Sequence, residues 1–210
     1  MKVKAVLFDM DGVLIEAKEW HYEALNQALR IFGYEINRFE HLTSYDGLPT
    51  SVKLNKLTVE KGLPEALHGF INEMKQQYTI GLIHRFCKPR FNHEYALSRL
   101  KAEGYKLAVG SNSIRQTVHL MMEKAKLIQY FNLILSNQDV RHPKPSPEIY
   151  LTAMERLGVR PEECVIVEDN ENGIRAAIAS GGHVLSVKTV DDVTYENIIA
   201  RIHEVEGGVS

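Results

Sequence analysis

Two aspartates separated by one residue close the first apolar run of the chain, Phe8-Asp9-Met10-Asp11-Gly12. Leaving a strand, positions i and i+2 can face the same pocket. One carboxylate can then attack phosphorus and form an aspartyl-phosphate, which splits a hard reaction into two easier ones. The other, with its pKa raised in a drier site, can exchange a proton with the leaving or entering oxygen. Three further polar groupings follow later apolar runs: Ser111-Asn112-Ser113, Lys144, and Glu168-Asp169. Ser111 has a hydroxyl and a backbone amide to offer phosphate oxygens, and Lys144 a positive charge for a phosphate or a carboxylate. Gly12 lets the backbone curl so that successive N–H groups can form an anion nest. Asp9, Asp11, Glu168 and Asp169 would crowd one mouth, and two bare carboxylates about 4 Å apart repel by about 4 kcal/mol at an effective dielectric of about 20. Such a cluster needs a cation, and oxygen ligands of this kind suit Mg²⁺, which would also neutralise charge on a phosphate substrate.

Positioning these groups requires strands that end together. Val3 to Phe8, Lys106 to Gly110, Leu133 to Leu135, Cys164 to Val167 and, more weakly, His183 to Val187 read as buried strands. Helical patterns lie between them, over Asn92–Glu103, Ile114–Ala125, and from Ser146-Pro147-Glu148 to Leu157, where the serine reads as N-cap and the proline as first helical residue. Near-continuous apolar strands alternating with helices imply an α/β core, a doubly wound parallel sheet covered on both faces. Ligands bind such sheets outside the carboxyl ends of the strands, where the four groupings fall. One interval breaks the rhythm. Lys18–Phe32, Thr50–Lys61 and Pro64–Phe86 carry helical spacing with no convincing strand, so residues 16–91 read as an inserted all-helical domain, leaving 1–15 and 92–210 as the core.

Composition sets bounds on partners. The 210 residues are 44% hydrophobic and 25% charged, with 25 Lys and Arg against 27 Asp and Glu. A net charge of −2 with neutral histidines draws neither nucleic acid nor an anionic membrane. No apolar run approaches the roughly 18 residues of a membrane span, and no signal-peptide pattern opens the chain. Cys87 and Cys164 are too few and too far apart for a disulfide scaffold or a zinc site. A cytoplasmic enzyme, monomeric as is usual at this size, is the expectation.

Phe8-Asp9-Met10-Asp11-Gly12-Val13-Leu14, Ser111-Asn112, Lys144-Pro145 and Val167-Glu168-Asp169-Asn170 resemble, in order and each after its strand, the four motifs of the haloacid dehalogenase-like superfamily. The helical insert looks like the small α-helical cap of the branch containing β-phosphoglucomutase and many sugar phosphatases. The resemblance implies a Rossmann-like core with a cap that closes over substrate, Asp9 as nucleophile and Mg²⁺ ligand, and Asp11 as general acid/base with its backbone carbonyl on the metal. It implies phosphate binding by Ser111 and Asn112, Lys144 ordering nucleophile and phosphate, Asp169 as metal ligand and Glu168 as ligand or support. Dehalogenases of the superfamily lack the second aspartate, so Asp11 argues against dehalogenation.

The resemblance implies a Mg²⁺-dependent phosphatase acting on a small phosphorylated metabolite, a sugar phosphate or similar. His21, twelve residues after Asp9, matches a cap-hinge histidine and favours a sugar-phosphate-like site; a solvent-facing helix position is the alternative. Thr50 stands where the mutase pattern has an arginine gripping a distal phosphate, with Lys53 or Lys75 as candidate substitutes. Phosphatase therefore leads, with a hexose-phosphate mutase as the rival within enzymes. A non-catalytic phosphate-binding regulator is the rival outside them. Ser111-Asn112 also reads as an N-cap for the following helix, and Cys164 as a small core hydrophobe.

Overall fold

A computed structural model describes residues 2–207. Five strands, β1 (Ala5–Phe8), β2 (Lys106–Gly110), β3 (Leu133–Leu135), β4 (Cys164–Glu168) and β5 (His183–Ser186), form one parallel sheet in the order β3-β2-β1-β4-β5. β1 and β4 are buried along their whole length, which is why their sequences are continuous rather than alternating. In register, Val6 lies between Leu107 on one side and Val165 on the other. The chain winds outward from β1 to β3, then returns across β1 to start again with β4. That reversal makes a crevice at the carboxyl ends of β1 and β4. The ladder continues one residue past β1 and β2: Asp9 N donates to Val167 O at 3.0 Å and Ser111 N to Leu135 O at 3.1 Å.

The segment Ala17–Cys87 forms a compact unit of its own. It contains α1 (Lys18–Arg30), a short α2 (Arg38–Glu40), α3 (Thr50–Lys61) and α4 (His68–Phe86). Apolar residues at helical spacing, Leu25, Leu29, Leu54, Leu57 and Ile71, meet Ile36, Tyr45 and Leu63 in its interior. Asn26, fully buried, donates to Ile36 O and accepts from Ile36 N, both at 2.9 Å, and so satisfies the chain as it leaves α1. Two features differ from the sequence expectation. The expected helix from Pro64 begins as a separate 3₁₀ turn over Glu65–Leu67. α2 runs into a π-helical turn, His41–Tyr45, whose Tyr45 is buried and donates to Glu60 Oε2 at 2.6 Å.

The remainder of the described chain carries α5 (Phe91–Ala102), α6 (Arg115–Lys124), α7 (Glu148–Leu157), α8 (Glu171–Ala179) and α9 (Tyr195–Gly207) beside the sheet. α7 corrects the expected start: Pro147, not Ser146, is the N-cap, and the Ser146 hydroxyl accepts from Glu148 N at 3.3 Å. α8 starts on Asn170, whose side chain accepts from Gly173 N. Among the described residues no helix is long and apolar enough to cross a membrane.

Candidate active site

The strand ends bring three of the expected charges into direct contact. Asp9 follows β1, Glu168 ends β4, and Lys144 reaches in from the loop before α7; all three are buried. Lys144 Nζ lies 2.6 Å from Asp9 Oδ1 and 2.7 Å from Glu168 Oε1. Burial pulls the Lys144 pKa down, but the two carboxylates outweigh it and hold it above its ordinary value. Asp9 moves the other way from most paired acids. Its pKa is pushed well above the usual carboxylate range by burial, against the pull of Lys144 and with help from Glu168, Asp11 and Asp169. One lysine does not balance this many acids.

Glu168 is the most constrained of them. Its Oε1 also accepts from the hydroxyl of Tyr150 in α7, and its Oε2 accepts from Asp169 N at 3.2 Å. The carboxylate lies flat against Gly173 of α8, where a Cβ would sit 2.0 Å from Oε1, so only glycine fits beneath it. Tyr150 and Gly173 were not singled out by sequence.

Around this buried set the loops supply the second aspartate and the hydroxyls. Asp11 Oδ2 accepts from Ser113 Oγ at 3.0 Å, a partner that spacing did not reveal. Ser111 is fully buried, and its Oγ accepts from Ser113 N at 3.0 Å. Its amide is committed to Leu135 O by the extended ladder, which corrects the expectation that this N–H is offered to phosphate. Neither Ser111 nor Asn112 caps α6: Ile114 is its N-cap, and Arg115 N donates to Gln138 Oε1. Asn112 instead binds the main chain of Lys144 at both ends of its amide, accepting from the N–H at 3.0 Å and donating to the carbonyl at 3.3 Å. It seats the lysine. Gly12 adopts φ +94°, as the curl after β1 requires. The nest expected there is not built from residues 12–15, because Gly12 N donates to Ile15 O while the amides of Val13, Leu14 and Ile15 all donate to Met10 O.

Asp9, Glu168 and Asp169 each bring one carboxylate oxygen to within 4.8 Å of the others. An all-oxygen, anionic donor set beside an aspartate whose ionisation is opposed by its neighbours fits a hard divalent cation. The side chain of Asp11 is not part of that cluster. His21 and Thr50 lie in the helical unit. His21 Nδ1 is 3.4 Å from Lys75 Nζ, and Thr50 is the half-buried first residue of α3, directly after its N-cap Pro49.

This fold and site define a hydrolase built on a doubly wound sheet. The chain belongs to the haloacid dehalogenase-like hydrolases, whose family model matches residues 6–187, a span that takes in β1 from Val6, the other four strands and all the strand-end groups. It is 30% identical over 179 residues to a phosphoglycolate phosphatase of Aquifex aeolicus, a stretch covering 85% of this chain and 82% of that one. It is 29% identical over 184 residues to a phosphorylated carbohydrates phosphatase of Thermotoga maritima, with the same coverage of 85% and 82%. Among solved structures, a β-phosphoglucomutase from Clostridium difficile shares the fold with a TM-score of 0.84 over 98% of this chain and 99% of that one, at 22% identity.

Proposed function

We propose that this chain is a phosphatase that hydrolyses a small phosphomonoester, a sugar phosphate or a similarly polar molecule, through an aspartyl-phosphate on Asp9. The observation that carries the reading is the buried Asp9–Lys144 pair at the switch point, with Asp11 two residues on and held by Ser113. The activities named for the Aquifex and Thermotoga relatives support a small phosphorylated substrate. Every group invoked comes from one chain, so a monomer suffices.

In the first half-reaction an Asp9 carboxylate oxygen attacks phosphorus, the ester P–O bond breaks, and Asp11 gives its proton to the departing oxygen. In the second, water attacks the same phosphorus and gives a proton to Asp11. The acyl-phosphate P–O bond breaks, and orthophosphate leaves with the Asp9 carboxylate restored. Lys144, kept protonated by Asp9 and Glu168, orients the nucleophile and offsets phosphate charge. The Ser111 hydroxyl, which accepts from Ser113 N, still has its own proton to donate to a phosphate oxygen. Asn112 keeps Lys144 in place. Mg²⁺, held by Asp9, Asp169 and Glu168 with the main-chain carbonyl of Asp11, would supply positive charge for the acids and the phosphate. His21 and Thr50 we assign to substrate selection.

The test is inorganic phosphate release across a panel of sugar and other small phosphomonoesters with Mg²⁺. Release is expected from the native chain and absent from Asp9→Asn, a loss of at least ~10³-fold. A panel that stays silent, or an Asp9→Asn variant that keeps near-native turnover, sinks the reading.

A further inference from the structure

Tyr150 takes no part in the chemistry above, yet it touches both partners of the nucleophile's charge network. It is the third residue of α7 and is fully buried. Its hydroxyl donates to Glu168 Oε1, the oxygen that also accepts from Lys144 Nζ at 2.7 Å. The same ammonium lies 4.7 Å from the centroid of the Tyr150 ring, within reach of its negative face. One side chain therefore holds the acid by its polar tip and the base by its ring. The carboxylate occupies the space that a Cβ at Gly173 would take, 2.0 Å from Oε1. The phenol is a hydroxyl donor, and here its proton goes to that carboxylate.

We propose that Tyr150 is a positioning residue: it fixes the rotamer of Glu168 and the seat of Lys144, and through them sets the acidic cluster for a divalent cation. The hydroxyl is the specific element. A phenylalanine would fill the same space and keep the ring under Lys144, but Glu168 Oε1 would lose one of its two donors. An acid freed to turn presents the cluster in several arrangements, only one of which suits the ion, and loss of such an outer hydrogen bond typically weakens metal affinity by about 10- to 100-fold. The proposal rests on the cation-dependent phosphatase reading.

The experiment is thermal denaturation of substrate-free protein titrated with Mg²⁺ alone, for the native chain and Tyr150→Phe, with kcat and KM for phosphate release measured beside it. Tyr150→Phe is expected to fold, to need about 10-fold more Mg²⁺ for half of the thermal shift, and to keep KM within about twofold at saturating Mg²⁺. In a Glu168→Gln background, adding Tyr150→Phe is expected to change the Mg²⁺ midpoint by less than twofold, because the hydroxyl acts through that carboxylate. A native-like midpoint in Tyr150→Phe, with or without a lower melting temperature, overturns the proposal, as does full additivity with Glu168→Gln. A native chain that shows neither a Mg²⁺ shift nor phosphate release overturns the phosphatase reading itself, and with it this one.

Discussion

At the carboxyl edge of the sheet, Asp9, Lys144 and Glu168 are buried against one another, with more acid than base and an aspartate whose ionisation its surroundings oppose. In the helical unit, Asn26 is buried as completely, but it is neutral and closes both its hydrogen bonds on the main chain of Ile36. Both places put polar atoms out of reach of water. Asn26 removes an unsatisfied donor and acceptor and so stabilises the fold. The strand-end acids are held close together although they repel, which favours chemistry over stability. Neutralising a strand-end acid should therefore leave stability unchanged or raised, whereas deleting the Asn26 amide should lower it.

The largest effect is expected at Lys144. Lys144→Met roughly keeps the volume and deletes the base that contacts both Asp9 and Glu168. Removing one partner of a buried charge network costs about 3–5 kcal/mol. Denaturant unfolding of metal-free protein near neutral pH should show a loss of about 3 kcal/mol, together with loss of phosphatase activity. A loss below about 1 kcal/mol would mean that the strand-end charges do not depend on one another as described.

Asp9→Asn sharpens the contrast by separating activity from stability. The folded-state pKa of Asp9 is raised, chiefly by burial, so the folded protein binds a proton more readily than the unfolded chain. Its contribution to stability thus falls as pH rises from the ordinary carboxylate range through the raised folded value. Metal-free native protein should lose stability over that range relative to Asp9→Asn, which cannot ionise there. At neutral pH the inactive variant should melt at the same temperature or higher. Equal pH slopes for the two proteins would refute this account of Asp9.

Asn26→Ala is the counterpart in the helical unit. The Ile36 carbonyl keeps a donor in Tyr22 Oη at 3.1 Å, but the Ile36 N–H loses its acceptor. A buried donor left unsatisfied costs about 1–3 kcal/mol, so a loss near 2 kcal/mol is expected by denaturant unfolding, with kcat unchanged below the transition. A fall in kcat to match would erase the distinction between the two interiors.

How far each region could be read beforehand follows the same division. Asp9 and Glu168-Asp169 stood out because acids ending apolar runs are hard to explain otherwise, Lys144 stood out only through its order among the other groupings, and the runs themselves placed the five strands to within two residues at every end. α1, α3, α4, α5, α6 and α7 were legible from apolar spacing, several of them also from the glycine that stops them, whereas α8 and α9 were not read. What could not be read depends on atoms that meet only after folding. Tyr150 reaches Glu168 across 18 residues, and Asn112 reaches the Lys144 main chain across 32. Nothing local to either residue signals its partner. The π-helical turn His41–Tyr45 belongs to the same class, since burial of Tyr45 against Glu60 supports it rather than any repeat in its own sequence. Gly173 did carry a signal, an unforced glycine in a helix, whose meaning appears only when the carboxylate beneath it is seen.

The smallest effect on the fold is expected at Thr50, and it tests whether the helical unit holds any of the chemistry. As the first residue of α3 it is half-buried, and Pro49 rather than Thr50 is the cap, so Thr50→Ala removes a hydroxyl without a structural task assigned to it. Stability should change by no more than about 0.5 kcal/mol. If Thr50 helps select the substrate, kcat/KM should fall unequally across the phosphomonoester panel, by about fivefold or more for the preferred substrate, the loss of one hydrogen bond worth about 1 kcal/mol. A uniform profile would confine specificity to other residues of the helical unit, and the contrast drawn here would then be one between a reacting centre and a unit whose Asn26 serves stability alone.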